Sequence, residues 1–476
     1  MSHSLKAHLD QINYLESTKK LLSWDQETLM PKMATSFRAE QSAFIESLLQ
    51  DRILDDKVKN YLNVLPSNSQ EKRHQQLLKD LVEKNSLPKD LVERLAKHSV
   101  IATESWREAR EKKDFSLLQA DLKEMIHLNQ QVADHLKKGR TRYDALLSLY
   151  DRDLTYAEIQ KLFDPLEKEL KNILKENTYP KNTPLPLPAS IDQQKKICNF
   201  LVEKIVPSAL LQESTHPFCD MICPGDIRLT TRYNSKDLFE ALYSTLHELG
   251  HALYDSQLPH EQLYPLNQSL SLTVHESQSK LFETCIGGSR DFLHLLYKVF
   301  QNNLPQIPFS FEEMVKSRHA ILPQPIRIES DEFTYPLHII FRTKIEKELI
   351  EGQLQVEDLP KVFREYQKDL LGLDVPDDAQ GCLQDIHWAS GSFGYFPTYL
   401  TGCMYAADQY ACLKNEIPLA DCLQKGELEP LRNWLKKAIH GYGSLLNLQD
   451  LLQKSTKKPL SAERYVSYLK ERFLNG

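Results

Sequence analysis

The stretch Leu238-Phe239-Glu240-Ala241-Leu242-Tyr243-Ser244-Thr245-Leu246-His247-Glu248-Leu249-Gly250-His251-Ala252-Leu253 spaces its leucines in steps of four, four, three and four. A strand would gather every second side chain on one face, whereas a helix gathers residues three and four apart. The stripe therefore predicts an amphipathic helix. Asn234 or Ser235 is placed to cap its start, and Pro259 lies beyond its end. The same spacing recurs over 1–175, with helix junctions expected at 66–69 and 85–88. Only 15 glycines in 476 residues point the same way, because turn-rich β folds consume glycine.

Two segments break the helical texture. Pro180, Pro184, Pro186 and Pro188 mark a surface loop, too short and too leucine-rich to divide the chain. Asp226-Ile227-Arg228-Leu229-Thr230-Thr231-Arg232-Tyr233 alternates and is rich in β-branched residues, so it reads as one strand of a small antiparallel sheet. The expected fold is mostly α, with a small β patch.

Composition narrows the function. There are 59 Lys and Arg against 66 Asp and Glu, a net charge of −7, and no basic stripe of the kind phosphate contacts require. No apolar run approaches the roughly 18 residues of a membrane helix, and the first twenty residues lack the apolar core of a secretory signal. Nucleic-acid and membrane partners are not expected. Eight cysteines spread through a long chain read as free thiols of a reducing, cytoplasmic compartment. Cys219 and Cys223 have a metal-like spacing, but no second pair completes a site.

The chemistry concentrates in His247-Glu248-Leu249-Gly250-His251. On a helix, residues four apart share a face, so both imidazoles can reach one ion while Glu248 projects beside them. Neutral imidazole nitrogens suit Zn²⁺, with Co²⁺ or Mn²⁺ as substitutes, and leave room for a third ligand and water. Glu248 is then placed to take a proton from that water. Glu276 follows His251 by 25 positions, enough for a turn and an antiparallel return helix, and is the third ligand expected. His275, about 100° round that helix, is the competing choice.

At this point the sequence resembles the carboxypeptidase Taq family of zinc metallocarboxypeptidases. The matching motifs run in order: Ser23-Trp24-Asp25-Gln26-Glu27-Thr28, Tyr143-Asp144-Ala145-Leu146-Leu147, His216-Pro217-Phe218, Asp226-Ile227-Arg228-Leu229-Thr230, the zinc pentapeptide and His275-Glu276-Ser277-Gln278. They continue with Ile326-Arg327-Ile328-Glu329-Ser330-Asp331, Gly381-Cys382-Leu383-Gln384-Asp385-Ile386-His387-Trp388 and Gly394-Tyr395-Phe396-Pro397-Thr398-Tyr399. Ser330 and Pro336 depart from the family pattern, away from the ligand and base positions.

The resemblance implies one helical catalytic domain over 1–476 around a deep groove, with helices 1–175 forming part of its wall and the small sheet near the zinc site. It also implies a homodimer that removes C-terminal residues of varied side chain from peptides with a free C-terminus. Tyr395 and His387, in motifs matching the family's active-site region, are candidates to stabilise the oxyanion; each also reads as a buried, hydrogen-bonded aromatic. A guanidinium fork suits a carboxylate, which makes Arg327 the leading reader of the chain end, ahead of Arg228 and Arg342. Each arginine has an alternative reading as a structural ion pair with an acid such as Asp331, Glu332 or Glu346. His216 is placed to contact substrate or to buttress the groove. Related helical zinc peptidases often carry an acid four residues after the glutamate ligand; here that position is Lys280, so Glu283 or an acid elsewhere must support the zinc histidines. Trp24 and Trp388 read as core anchors.

Overall fold

Eight α-helices occupy the first 176 residues, from His3–Thr28 to Tyr156–Glu176, in a computed structural model that describes residues 3–177 and 179–474. Both expected junctions fall between helices. One helix ends at Leu62, and the next, Ser69–Asn85, opens under the Asn68 side chain, which accepts from Glu71 N; the following helix starts at Lys89. Leu5, Leu9, Ile12, Leu49, Ile53 and Leu78 gather with Tyr264 into a small apolar cluster of their own. The larger core is built by the helices from Leu91 onward. Trp24 and Trp388 are both buried.

The sheet differs from expectation. Its strands are β1 (Leu210–Glu213), β2 (Cys219–Cys223) and β3 (Asp226–Thr231), in the order β1-β3-β2. β2 and β3 form an antiparallel hairpin through Gly225, at φ +91°, whereas β1 pairs parallel with β3. The sheet is therefore mixed. Helix His3–Thr28 covers the outer edge of β2, with Ser17 Oγ donating to the Ile222 carbonyl at 2.6 Å and Lys20 Nζ to the Met221 carbonyl at 3.3 Å. That leaves the far edge of β3 for β1.

The motif helix runs Leu238–Ser256 and buries all five stripe leucines. Its cap is Asp237, not Asn234 or Ser235. Asn234 turns its side chain to Lys236 N, one turn too early, while Asp237 Oδ1 accepts from Phe239 N and from Leu187 N of the proline-rich loop. That loop thus straps the start of the motif helix. The return helix, Leu272–Lys280, is capped by Ser271 and widens into a π-helical turn, Leu281–Ile286. It lies between the motif helix and helix Phe396–Glu416, with glycines at both contacts: Gly250 meets the Gln278 backbone, and Gly402 meets the Glu276 side chain. No helix among the described residues is long and apolar enough to cross a membrane.

Candidate metal centre

Ligand-capable atoms of His247, His251 and Glu276 lie within 4.8 Å of one another. Glu276 Oε2 stands 3.8 Å from His247 Nε2 and 3.6 Å from His251 Nε2. Those separations exceed hydrogen-bond length, so the three groups converge without satisfying one another. Ser279 Oγ donates to Glu276 Oε2 at 3.0 Å, while the buried Glu276 Oε1 has no hydrogen-bond partner. Two imidazole nitrogens and a carboxylate form a donor set that fits a divalent cation.

Charges behind the cluster orient it. Burial alone would depress His247, but Glu276 and then Glu283 carry its pKa up to about 9. His247 Nδ1 pairs with Glu283 Oε2 at 2.8 Å, which leaves Nε2 facing the cluster. Lys280 Nζ donates to the same oxygen at 2.8 Å. Although burial opposes it, Lys280 with His247 holds the Glu283 carboxyl at about 2. The π-helical turn presents Glu283 to His247, a frequent use of such turns at functional sites.

His251 is kept well below its ordinary pKa by burial. The His275 ring stacks on it at 4.2 Å and gives Nε2 to Asp255 Oδ1 at 3.2 Å, so His275 supports the cluster from behind. Glu248 is buried beside the cluster, and burial raises its carboxyl to about 7.

The remaining sequence candidates separate into two groups. His387 and Tyr395 come together, 5.5 Å between ring centroids. His387 Nε2 meets the Tyr399 hydroxyl at 3.2 Å, its Nδ1 is buried without a partner, and burial lowers its pKa to about 4. Lys280 Nζ lies 3.9 Å from Glu276 Oε1 and 5.0 Å from the Tyr335 ring centre, and Tyr395 packs on Tyr399 at 5.1 Å, which brings this aromatic wall toward the cluster. Arg327 is buried on the same side, with Nε at 2.9 Å from Asp385 Oδ1 and Nη1 at 3.4 Å from the Tyr335 hydroxyl.

Arg228 is paired within its own strand. Its fork is bidentate to Asp226 at 2.8 and 2.7 Å, and its guanidinium lies 5.8 Å from the Trp24 ring. His216 is exposed, and its carbonyl accepts from Ser214 Oγ at 2.6 Å. Arg342 is fully buried, and its acid partner is none of the three named from sequence. It donates to Asp385 Oδ2 at 2.6 Å, 43 residues away, and to Gln384 Oε1 at 2.6 Å.

Sequence reasoning gave Asp385 no role of its own and offered Glu346 only as an ion-pair partner for an arginine, which it is not. Glu346, fully buried, accepts from the Tyr143 hydroxyl at 2.9 Å, Trp388 Nε1 at 3.0 Å and Gly394 N at 3.1 Å. It thereby ties down both sides of the segment that carries His387 and Tyr395. An acid amid the apolar run Ile339-Ile340-Phe341 and Leu349-Ile350 was the available signal.

A model of the carboxypeptidase Taq (M32) metallopeptidase family matches residues 4–473. Thermostable carboxypeptidase 1 of Pyrococcus furiosus is 32% identical over 473 residues, covering 96% of this chain and 95% of that protein. Carboxypeptidase 1 of Bacillus subtilis is 32% identical over 489 residues, covering 98% and 97%. The solved Apo-Mg structure of the Pyrococcus furiosus carboxypeptidase superposes with a TM-score of 0.95 at 31% identity, covering 100% of this chain and 99% of that one. A helical scaffold that gathers two imidazoles and a carboxylate defines a metallopeptidase-like centre. The chain belongs to the carboxypeptidase Taq (M32) family of metallocarboxypeptidases.

Proposed function

We propose that the protein is a zinc carboxypeptidase that removes single C-terminal residues of varied side chain from peptides, with Co²⁺ or Mn²⁺ able to replace zinc. The observation that carries this reading is the convergence of His247, His251 and Glu276 beside a buried Glu248. The three residues would hold the cation, which when bound supplies the Lewis acidity that makes water nucleophilic near neutrality. Glu248, outside the ligand set, takes the water proton and returns it to the leaving amine. His387, neutral by burial, and Tyr395 donate hydrogen bonds to the developing oxyanion. Arg327 reads the substrate carboxylate: it shares Asp385 with Arg342, which leaves one positive charge of that group uncompensated beside Tyr335 and Tyr399. His216 and Arg228 belong to the groove wall.

The whole of 1–476 then serves one catalytic domain, with the N-terminal helices lining part of the groove. Exposed Tyr14 and Leu21 on one helix, with Phe37 and Phe44 on its neighbour, repeat at seven-residue spacing and support a homodimer through this face. Eight free thiols support a cytoplasmic location.

Mass spectrometry of a peptide ladder tests the reading. Glu248→Gln is expected to retain the metal and lose release of C-terminal residues, and amidation of the substrate is expected to stop the wild-type enzyme. Undiminished turnover by the variant would falsify the role of Glu248. Equal cleavage of amidated peptides would instead favour an oligopeptidase.

A further inference from the structure

A cavity of about 450 Å³ opens between the N-terminal helices and the segment leading into the return helix, and none of the proposed catalytic groups lines it. Four cations reach its wall, Lys84, Lys138, Arg140 and Arg152, against two acids, Asp80 and Glu83. Lys138 is paired with Glu83 and Arg152 with Asp80. Lys84 and Arg140 form no ion pair among the described residues; Lys84 Nζ donates to the Leu149 carbonyl at 2.7 Å. The cavity thus holds two uncompensated positive charges in a chain of net charge −7.

Its position relates it to the metal cluster. Ser271 lines the cavity and caps the return helix, and Glu276 follows five residues later, about 7.5 Å along the axis at 1.5 Å per residue. Tyr150 lines the cavity too; its carbonyl accepts from Leu272 N at 3.1 Å, and its ring packs edge-on to Tyr395 at 5.1 Å. The cavity and the cluster therefore share a wall. An extended peptide advances about 3.3 Å per residue, so a side chain two to four positions from the scissile bond spans that distance. In a carboxypeptidase only one residue lies downstream of that bond, which leaves the upstream chain to reach the cavity.

We propose that this cavity is a subsite for carboxylate side chains two to four residues upstream of the scissile bond, read by Lys84 and Arg140. The proposal rests on the peptide-cleaving reading above and assigns a specificity to it. An Asp or Glu side chain entering here meets both unpaired cations and neutralises charge that the fold leaves exposed to the cavity. Both side chains are solvent-exposed within the concavity, so replacing them leaves the core untouched.

Peptides identical except for Glu or Gln at each of these three positions test it, with kcat/KM as the readout. The wild-type enzyme is expected to favour Glu by about threefold to tenfold at one position, a preference that shrinks as salt is raised. The double variant Lys84→Gln, Arg140→Gln is expected to bring the ratio to parity, and Lys84→Glu, Arg140→Glu to transfer the preference to a Lys peptide. Equal turnover of Glu and Gln peptides by the wild type, or a Glu preference that survives both double variants, overturns the subsite. Absence of cleavage of every peptide would instead strike the underlying carboxypeptidase reading. Binding of the same peptides to Glu248→Gln repeats the comparison without turnover.

Discussion

A methyl group on Gly250 would sit 2.2 Å from the carbonyl oxygen of Gln278, so the motif and return helices meet backbone to backbone. This approach lets Glu276 reach His247 and His251. Gly402 repeats the device on the opposite side, where a methyl group would lie 3.0 Å from Glu276 Cβ and Cγ. Glycine inside a helix costs about 1 kcal/mol relative to alanine, and here that cost is offset by the convergence of three helices. Gly250→Ala forces the return helix outward. It is expected to lower stability by about 1–3 kcal/mol and to weaken metal binding, as checked by thermal unfolding and by metal content after gel filtration.

Glu283 holds the His247 ring by Nδ1 and also neutralises Lys280. Glu283→Gln retains the shape but removes the charge that serves both partners. Metal affinity is expected to fall by about 10- to 100-fold, read by competition with a chromogenic chelator. Unchanged affinity would show that Glu283 serves Lys280 alone.

Asp385 joins two buried guanidinium groups, at 2.9 Å from Arg327 Nε and 2.6 Å from Arg342 Nε. Both arginines hold its carboxyl far below the usual range, even though burial acts the other way. Asp385→Asn strands two buried cations, a change expected to cost about 3–5 kcal/mol. Urea unfolding measures it, and a loss under 1 kcal/mol would mean that water reaches these charges.

Glu346 gives a pH signature. Burial pushes its carboxyl up to about 8, against the pull of its three donors. A carboxyl raised on folding contributes stability that is complete below the unfolded pKa of about 4.3 and lost as pH rises through the folded value. Stability from this group should therefore fall between pH 5 and 8. Glu346→Gln should flatten that part of the stability profile and lower kcat by loosening the His387–Tyr395 segment, with denaturation midpoints and kinetics measured across that range.

The separation between what was legible in the sequence and what was not follows the reach of the forces involved. Leucine spacing, the junctions near Asn68 and Asn85, and the shared face of His247 and His251 depend on contacts within a few residues, which the sequence states directly. Arg342 and Glu346, four apart on one helix, invite a local ion pair by the same rule, yet each takes a distant partner, Asp385 in one case and Tyr143, Trp388 and Gly394 in the other. A fully buried polar or charged group must have its hydrogen bonds met, and only the packed chain decides which groups are near enough to meet them.

Likewise, the alternation of Asp226–Tyr233 announced a strand, which the fold ends at Thr231. Its parallel neighbour was set by the first helix occupying the other edge of the sheet. The sequence by itself determined the helices, the small sheet's central strand and the residue types gathered for a metal. Tertiary structure decided the cap at Asp237, the pairing of Glu283 with His247 and the uncompensated charge of the Lys84 cavity, because each depends on distances between segments that no local spacing encodes.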